Sequence, residues 1–540
     1  MPTEYRASLR LTSRPHVLGT TVLVVIGIAG CVGTAATTTD PVPRDTPSAS
    51  VDAGATHAVP TPSPGPTSSP TPSTSPTATA TPTPSAPRLD ERPATADELP
   101  IPDFAAVVFS DAAGLWVVEG TNGPRHIRAE AGLGDPIVAP DRSWIAYSRL
   151  VEASDAPAEY GTVHEPEAWV VRFDGTGAKR LFGSHDLPVE DLPERFRGGR
   201  WPRSRAWIPG REAVAFTSYG RAREPGGMGD PYELSLADDL WIVDVTSGDV
   251  RRVLAYGEGG RFAWSPDGAR VAIVRPGSGD EVAGVVAIAN GEGSEPRVVL
   301  EFGQVGTGSE FQFYPRPYWT PDGSALLVAV PGVGPHEERG YLGEGPTDLY
   351  RIPVDGQAER IGAVTMDWLV WGAFQQWRPD WSPWDPMRER ILWPQVIPWP
   401  TRPPPPPGAY PPPPQEPSPS QRYPGVELRL GAADAGEART YAALAPVQLT
   451  GWSPDGRHFL VLDRHWAYVG GPDEPLRSIG LATEFGEVRW IDGETLVGVV
   501  GEGEGRGALV IWSTDGRRRD VARLEGAAAL DVAQLLRTGP

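Results

Sequence analysis

The chain has 540 residues, a net charge of −21, 62 Pro and 63 Gly, yet 39% of it is hydrophobic and it holds 19 Trp. That mixture joins low-complexity segments to a Trp-rich part large enough for a packed core. The acidic balance disfavours a protein that tracks nucleic-acid phosphates. The single lysine, Lys179, fits neither a P-loop nor a Schiff base, and a single cysteine, Cys31, excludes an intrachain disulfide and any cysteine-rich zinc site.

In chain order, Arg6, Arg10 and Arg14 precede an apolar run from Val17 to Gly30, which suits the apolar region of a signal peptide and is short for a bilayer span. The run ends Ile28-Ala29-Gly30-Cys31. This resembles the lipobox of bacterial lipoproteins, in which small residues before the cysteine admit the signal peptidase. The resemblance implies that residues 1–30 are a cleaved signal peptide and that Cys31 is lipidated on its sulfur and new amino group. Such acylation would tether an extracytoplasmic protein to the bacterial cell membrane. An uncleaved anchor helix with an incidental cysteine is the alternative.

Residues 31–100 carry stretches such as Thr61-Pro62-Ser63-Pro64-Gly65-Pro66 and Thr81-Pro82-Thr83-Pro84. With almost nothing apolar to offset the entropy of ordering, they are expected to form a disordered Pro/Thr/Ser linker, partly polyproline II, that lifts a folded head from the membrane.

From 101 onward one unit recurs. Its clean openings are Trp264-Ser265-Pro266-Asp267-Gly268, Trp319-Thr320-Pro321-Asp322-Gly323 and Trp452-Ser453-Pro454-Asp455-Gly456. Val138-Ala139-Pro140-Asp141, Trp207-Ile208-Pro209-Gly210, Trp381-Ser382-Pro383-Trp384-Asp385 and Trp490-Ile491-Asp492-Gly493 read as degenerate copies. Pro presets the first turn dihedral, Asp bonds nearby backbone and Gly accepts positive φ, so the turn's Asp is expected to be structural. An apolar run such as Val271-Ala272-Ile273-Val274 follows each turn, then a second run such as Leu240-Trp241-Ile242-Val243. A tight turn such as Ser247-Gly248 then leads to a fourth run. Four hairpin-joined strands make one antiparallel blade.

The expectation is an all-β fold, a β-propeller of four-stranded antiparallel blades over 101–540, eight in number with seven left open, and a Pro-rich insertion at 394–425. A partial unit at the start, Ala106-Val107-Val108-Phe109 onward, lacks an opening strand, and Ala529 to Leu536 is expected to supply it and close the ring. These residues resemble the WD40-like (PD40-type) repeats of TolB and of the non-catalytic domain of prolyl oligopeptidase relatives. The Pro/Thr spacer stands where TolB carries a small α/β domain.

With strands in the order A, B, C, D, the B–C and D–A connections share one face, and the long segments fall there. Long loops on a rigid scaffold are where recognition concentrates. The binding candidates on this face are Tyr160, His185, Tyr219, Arg221, Arg223, Tyr232, Phe313, Tyr314 and Tyr341, since aromatic and arginine side chains make good anchors. Local ion pairing is the expected role of His185, Asp186, Glu190, Asp191 and Glu194, because Arg195, Arg197, Arg200 and Arg203 lie beside them. No Gly-x-Ser-x-Gly elbow appears, and His336-Glu337-Glu338-Arg339 lacks a second zinc-protease histidine. The sequence therefore points to a monomeric binding or scaffold module for a protein, peptide or glycan, with no cofactor, metal or nucleic acid. The alternative is a channel-site enzyme, such as a lyase or glycan hydrolase, using carboxylates from several blades.

Overall fold

In a computed structural model of the chain, the described residues are 99–153, 163–224, 234–276, 284–303, 315–331, 346–365, 382–396, 426–432, 438–444, 448–463, 465–485, 487–503, 505–526 and 528–534. Cys31, the signal segment, nearly all of the linker and positions 397–425 of the Pro-rich insertion lie outside them. Among the described residues, regular structure is β-strand apart from two 3₁₀ turns, Glu194–Phe196 and Ala482–Glu484.

The strands form eight sheets in a ring. Blade 1 pairs Ala105–Asp111 with Gly114–Val118 and then Arg125–Arg128 on one side, and with the C-terminal strand Ala529–Gln534 on the other. Blades 2 to 8 occupy 133–182, 199–254, 261–302, 318–365, 384–444, 448–481 and 487–525. All pairings between named strands are antiparallel, and six blades show four strands. Blade 3 adds Leu234–Leu236, and in blade 6 the opening strand is marked by a bridge between Trp384 and Ile391. The expected closure is present, with Ser110 opposite Ala529 and Ala105 opposite Gln534.

Why the B and C strands read as continuous apolar runs is now physical. Each is covered on both faces by neighbouring blades, so Val271, Ala272, Ile273 and Val274 are all buried. One cluster joins blades 2 and 3 through Phe182, Phe216 and Trp241, and another joins blades 8 and 1 through Phe109, Ile511 and Leu530. Further clusters fill the remaining seams, so packing runs without a break around the ring. The outer fourth strands alternate and carry charge, as at Arg251 and Arg252, which blunts the exposed edges.

The opening tryptophans set blade spacing. Nε1 of Trp207, Trp319, Trp452 and Trp490 donates to the carbonyl of Ile137, Ala263, Pro383 and Gly451 of the preceding blade, at 3.1, 2.9, 3.1 and 3.2 Å. Each acceptor lies one residue before that blade's own turn. Such a bond adds about 1 kcal/mol, whereas truncating a buried Trp costs about 3–5 kcal/mol. Packing therefore supplies the stability and the hydrogen bond fixes the register. Trp264 differs, bonding Gly291 O of its own blade at 3.1 Å.

The turns behave as their letters require. Ser265 N donates to Arg270 O at 2.9 Å and Gly268 N to Ser265 O at 2.8 Å, with Gly268 at φ 67°. Asp267 Oδ1 accepts the Ser265 hydroxyl at 2.6 Å and Ala269 N at 3.0 Å. Asp322 repeats this with Thr320 and Ser324, and the Thr320 hydroxyl is the main cause holding its carboxyl down to about 2.

One repeat was misregistered in the sequence. The turn of blade 6 is Trp384-Asp385-Pro386-Met387-Arg388, three residues beyond Trp381-Ser382-Pro383-Trp384-Asp385. Asp385 N bonds Arg390 O at 2.9 Å and Arg388 N bonds Asp385 O at 2.8 Å, matching the other turns. The disguise is Arg388, which stands where glycine is expected at φ 63°. Its guanidinium holds that conformation by donating to Trp384 O, Asp385 O and Trp319 O at 3.0, 2.9 and 3.2 Å.

Turns of neighbouring blades also touch. A Cβ at Gly268 would lie 2.1 Å from Pro209 O, while one at Gly248, φ 83°, would meet nothing within 4 Å. Gly248→Ala is expected to cost only the left-handed backbone term, about 1–2 kcal/mol. Gly268→Ala should cost at least about 2 kcal/mol more, because backbone must move. Thermal unfolding of the two variants measures the difference.

Candidate binding face and channel mouth

The antiparallel A-B-C-D order sends the A–B and C–D turns to one face, where they span at most six residues. The connections 153–163, 222–233, 332–345 and 397–425 between B and C, and 183–198, 303–317 and 366–383 between D and A, all leave from the other face. Opening strands of neighbouring blades touch one another, as do those of blades 1 and 2, 2 and 3, 4 and 5, and 8 and 1, so these strands surround the centre of the ring.

Of the predicted binding residues, Tyr160, Tyr232, Phe313, Tyr314 and Tyr341 lie outside the described residues. The other four come from blade 3 and the segment that precedes it, and they do not form one surface. Arg221, expected as a loop anchor, is 1% exposed and its Nη1 is bonded to Glu165 of blade 2. Glu165 also accepts the Ser184 hydroxyl, and His185 Nε2 stands 3.4 Å from it with half its side chain exposed. Arg223 is 54% exposed and only 4.0 Å from Glu194 Oε1. Tyr219 lies under the Arg203 guanidinium, 4.9 Å from ring centroid to Cζ.

The 183–198 segment is fastened by buried charge. Arg200 is fully buried and bonds Asp239 and Asp191, Pro188 O at 2.6 Å and Ser218 Oγ at 3.1 Å. Asp239 in turn accepts Ser218 N at 2.8 Å and Trp241 Nε1 at 2.7 Å. Asp191 accepts Tyr256 N at 2.9 Å and pairs with Arg252 at 3.1 Å. Burial opposes ionisation of Asp191, but the Tyr256 amide and Arg200 outweigh it and hold its pKa below the usual range. Asp186 pairs with Arg180 at 2.7 Å. Asp186, Asp191 and Glu194 thus lie against arginines, while Glu190 meets Arg197 only through its backbone carbonyl, and no group of three potential metal ligands occurs among the described residues.

A second constellation, which the sequence reading did not single out, lies on the opening strands. Arg261 stands three residues before Trp264, and Arg316 three before Trp319. Arg203 stands four before Trp207, with the extra residue absorbed by a register shift between Pro202 and Arg205. The same stretch bears acids in other blades: Asp135 three before Val138, and Glu487 three before Trp490. Asp531 lies in the closing strand. Those acids stitch blades together. Glu487 accepts Leu530 N at 3.3 Å, Asp531 accepts Val138 N at 2.9 Å, and Asp135 Oδ2 faces Arg205 of blade 3 at 3.8 Å. Basic and acidic residues thus occupy separate arcs around the centre, Arg203, Arg261 and Arg316 on blades 3 to 5 and the acids on blades 8, 1 and 2. The signal was present in the spacing to the repeat tryptophans, obscured by the one-residue bulge in blade 3.

No protein-family model matches this chain, and no curated protein matches it significantly. Among solved structures the chain is similar to TolB from Acinetobacter baumannii, at 14% identity over 72% of this chain and 83% of that one, with a TM-score of 0.30. It is similar to the β-propeller domain of the Trilobed protease from Pyrococcus furiosus at 14% identity, 72% and 97% coverage and TM-score 0.37. The acylaminoacyl peptidase of Pyrococcus horikoshii gives 13% identity, 72% and 52% coverage and TM-score 0.35. The propeller assignment rests on the strand pairing of this chain.

Removing Arg200 would strand Asp239 in a buried site. Arg200→Ala is expected to destabilise by about 3–5 kcal/mol, against no more than about 0.5 kcal/mol for Arg223→Ala on the surface. Denaturant midpoints compared at equal slope measure both.

Proposed function

We propose that this protein is a lipid-tethered extracytoplasmic binding module, whose propeller engages a protein, peptide or glycan partner through the face that carries its long connections. The observation that supports this reading most is the division of labour between faces. On one face, connections are short and internally bonded, as in the Asp267 turn. On the other, the connections lengthen, and Arg203 and Arg261 lie on opening strands that surround the centre of the ring. A rigid, closed scaffold with adaptable loops on one rim suits recognition, since the loops can vary without loss of core.

The tether follows from the Arg-flanked apolar run and the small residues before Cys31. Residues 31–100 then give reach.

Two measurements test the reading. Metabolic labelling with a clickable palmitate should mark the full chain and be lost in Cys31→Ser; undiminished labelling of that variant would contradict the anchor. A photocrosslinking amino acid placed at Arg223, on the long-connection face, should give a discrete adduct in producing cells. At Asp515, equally exposed on the opposite face, it should give none. Adducts from position 515 alone would exclude the proposed face.

A further inference from the structure

The outer strands carry a repeat of their own. In all eight blades the pairing of the C strand with the D strand slips once. The residue at the slip is apolar, as at Leu181, Val253, Ile479 and Val521, and it packs into the seam with the next blade. A bulge of this kind re-aims the side chains beside it. Two residues before the slip, six blades place a cation that reaches forward to a carbonyl in the C–D turn of the next blade. Lys179 donates to Thr246 O at 2.6 Å, Arg251 to Glu292 O at 3.0 Å and Arg297 to Gly356 O at 3.1 Å. Arg439 donates to Pro472 O at 2.6 Å, Arg477 to Thr514 O at 2.7 Å and Arg519 to Thr121 O at 3.4 Å. Blades 2 to 5 are thereby latched in one series, and blades 6, 7, 8 and 1 in another.

Both series stop at the same two seams. In blade 1 the matching residue, Arg125, turns back to Glu119 of its own blade at 3.7 Å. In blade 5 it is Glu359, whose carboxylate accepts but does not donate; positions 433–437 of the facing turn lie outside the described residues. The inner indole ties are missing there as well. Val138 stands where blade 2 would carry the repeat tryptophan, and Trp384 of blade 6 buries its Nε1 without a hydrogen-bond partner. Among the described residues, every other seam has the latch, the indole bond or both. Contacts from opening strands and A–B turns persist at the two exceptions. Asp531 reaches Val138 N at 2.9 Å, and Arg142 reaches Asp103 O at 3.3 Å and Glu119 at 3.6 Å. Between blades 5 and 6, Arg388 reaches Trp319 O at 3.2 Å.

We infer that the propeller is built as two half-rings of four blades, 2 to 5 and 6 to 1, which flex against each other at the outer rims of the seams between blades 1 and 2 and between blades 5 and 6. Packing and the inner contacts hold these seams together, so they act as hinges and do not part. Flexing there changes the spacing of the long connections on either side of each hinge, which is a shape change a closed ring of eight equal seams would resist.

The residue between the latch position and the slip repeats in every outer strand, so spin labels placed there compare seams directly. The full chain in detergent, with Cys31→Ser, is labelled at Ser478→Cys and Asp520→Cys across the latched seam of blades 7 and 8. Arg360→Cys with Thr440→Cys spans the seam of blades 5 and 6, and His126→Cys with Arg180→Cys that of blades 1 and 2. Pulsed dipolar spectroscopy should give distance distributions about twice as broad across each of the last two seams as across the first. Arg477→Gln should broaden the distribution between blades 7 and 8 to match them, whereas Arg477→Lys, which still donates, should leave it narrow. Equal widths at all three seams, or a width between blades 7 and 8 unmoved by Arg477→Gln, would overturn the device.

Discussion

Closure of the ring is the constraint on which every other feature depends. Each blade buries both faces of its inner strands against neighbours, so an open array would leave one apolar sheet face and one long edge in water. The chain avoids this by returning its last strand, Ala529–Gln534, to the first sheet, where six residue pairs from Ser110–Ala529 to Ala105–Gln534 complete blade 1. The seam so formed is packed by Phe109, Leu509, Ile511 and Leu530. It is also stitched by charge: Glu487 reaches across to Leu530 N and Asp531 to Val138 N. Because the first and last strands of the propeller meet in one sheet, no blade can open without exposing a neighbour.

Closure also explains why polarity is sorted at the centre. Backbone amides of innermost strands at a blade boundary need acceptors, and the acids of blades 8 and 1 supply them. On blades 3 to 5 the corresponding strands have arginines. The Trp319 indole already ties blade 5 to blade 4. The asymmetry of the ring, more than the repeat itself, sets this propeller apart. Buried ion pairs elsewhere have a different task. The Arg200 and Arg221 networks clamp the 183–198 segment between blades 2 and 3, giving a rigid floor beside the mouth.

Much of the fold was legible in residues with one strong local reason. Pro266, Asp267 and Gly268 each have a single turn position that suits them, and the expected closing strand needed only an unpaired start and an apolar end. The misreading at Trp381 shows the limit. Ser382-Pro383 mimics the repeat motif, while the true turn hides its positive φ under Arg388, whose cost is offset by three carbonyl bonds that no sequence pattern announces. The site was less legible for a related reason. Arg221 and Arg223 look alike in sequence, but strand alternation and Glu165 bury one and leave the other in solvent. Arg203, Arg261 and Arg316 lie far apart in the chain, and only a counted bulge shows that they hold matching places on adjacent opening strands.

The most direct test of the closed ring is a covalent one. In a chain whose own thiol is removed by Cys31→Ser, the pair Ser110→Cys and Ala529→Cys lies at facing positions of the closing sheet. Closure predicts that mild oxidation forms an intramolecular disulfide in nearly every molecule and raises Tm. Persistent free thiols, or disulfides between chains, would mean that the ends do not meet and would contradict the architecture.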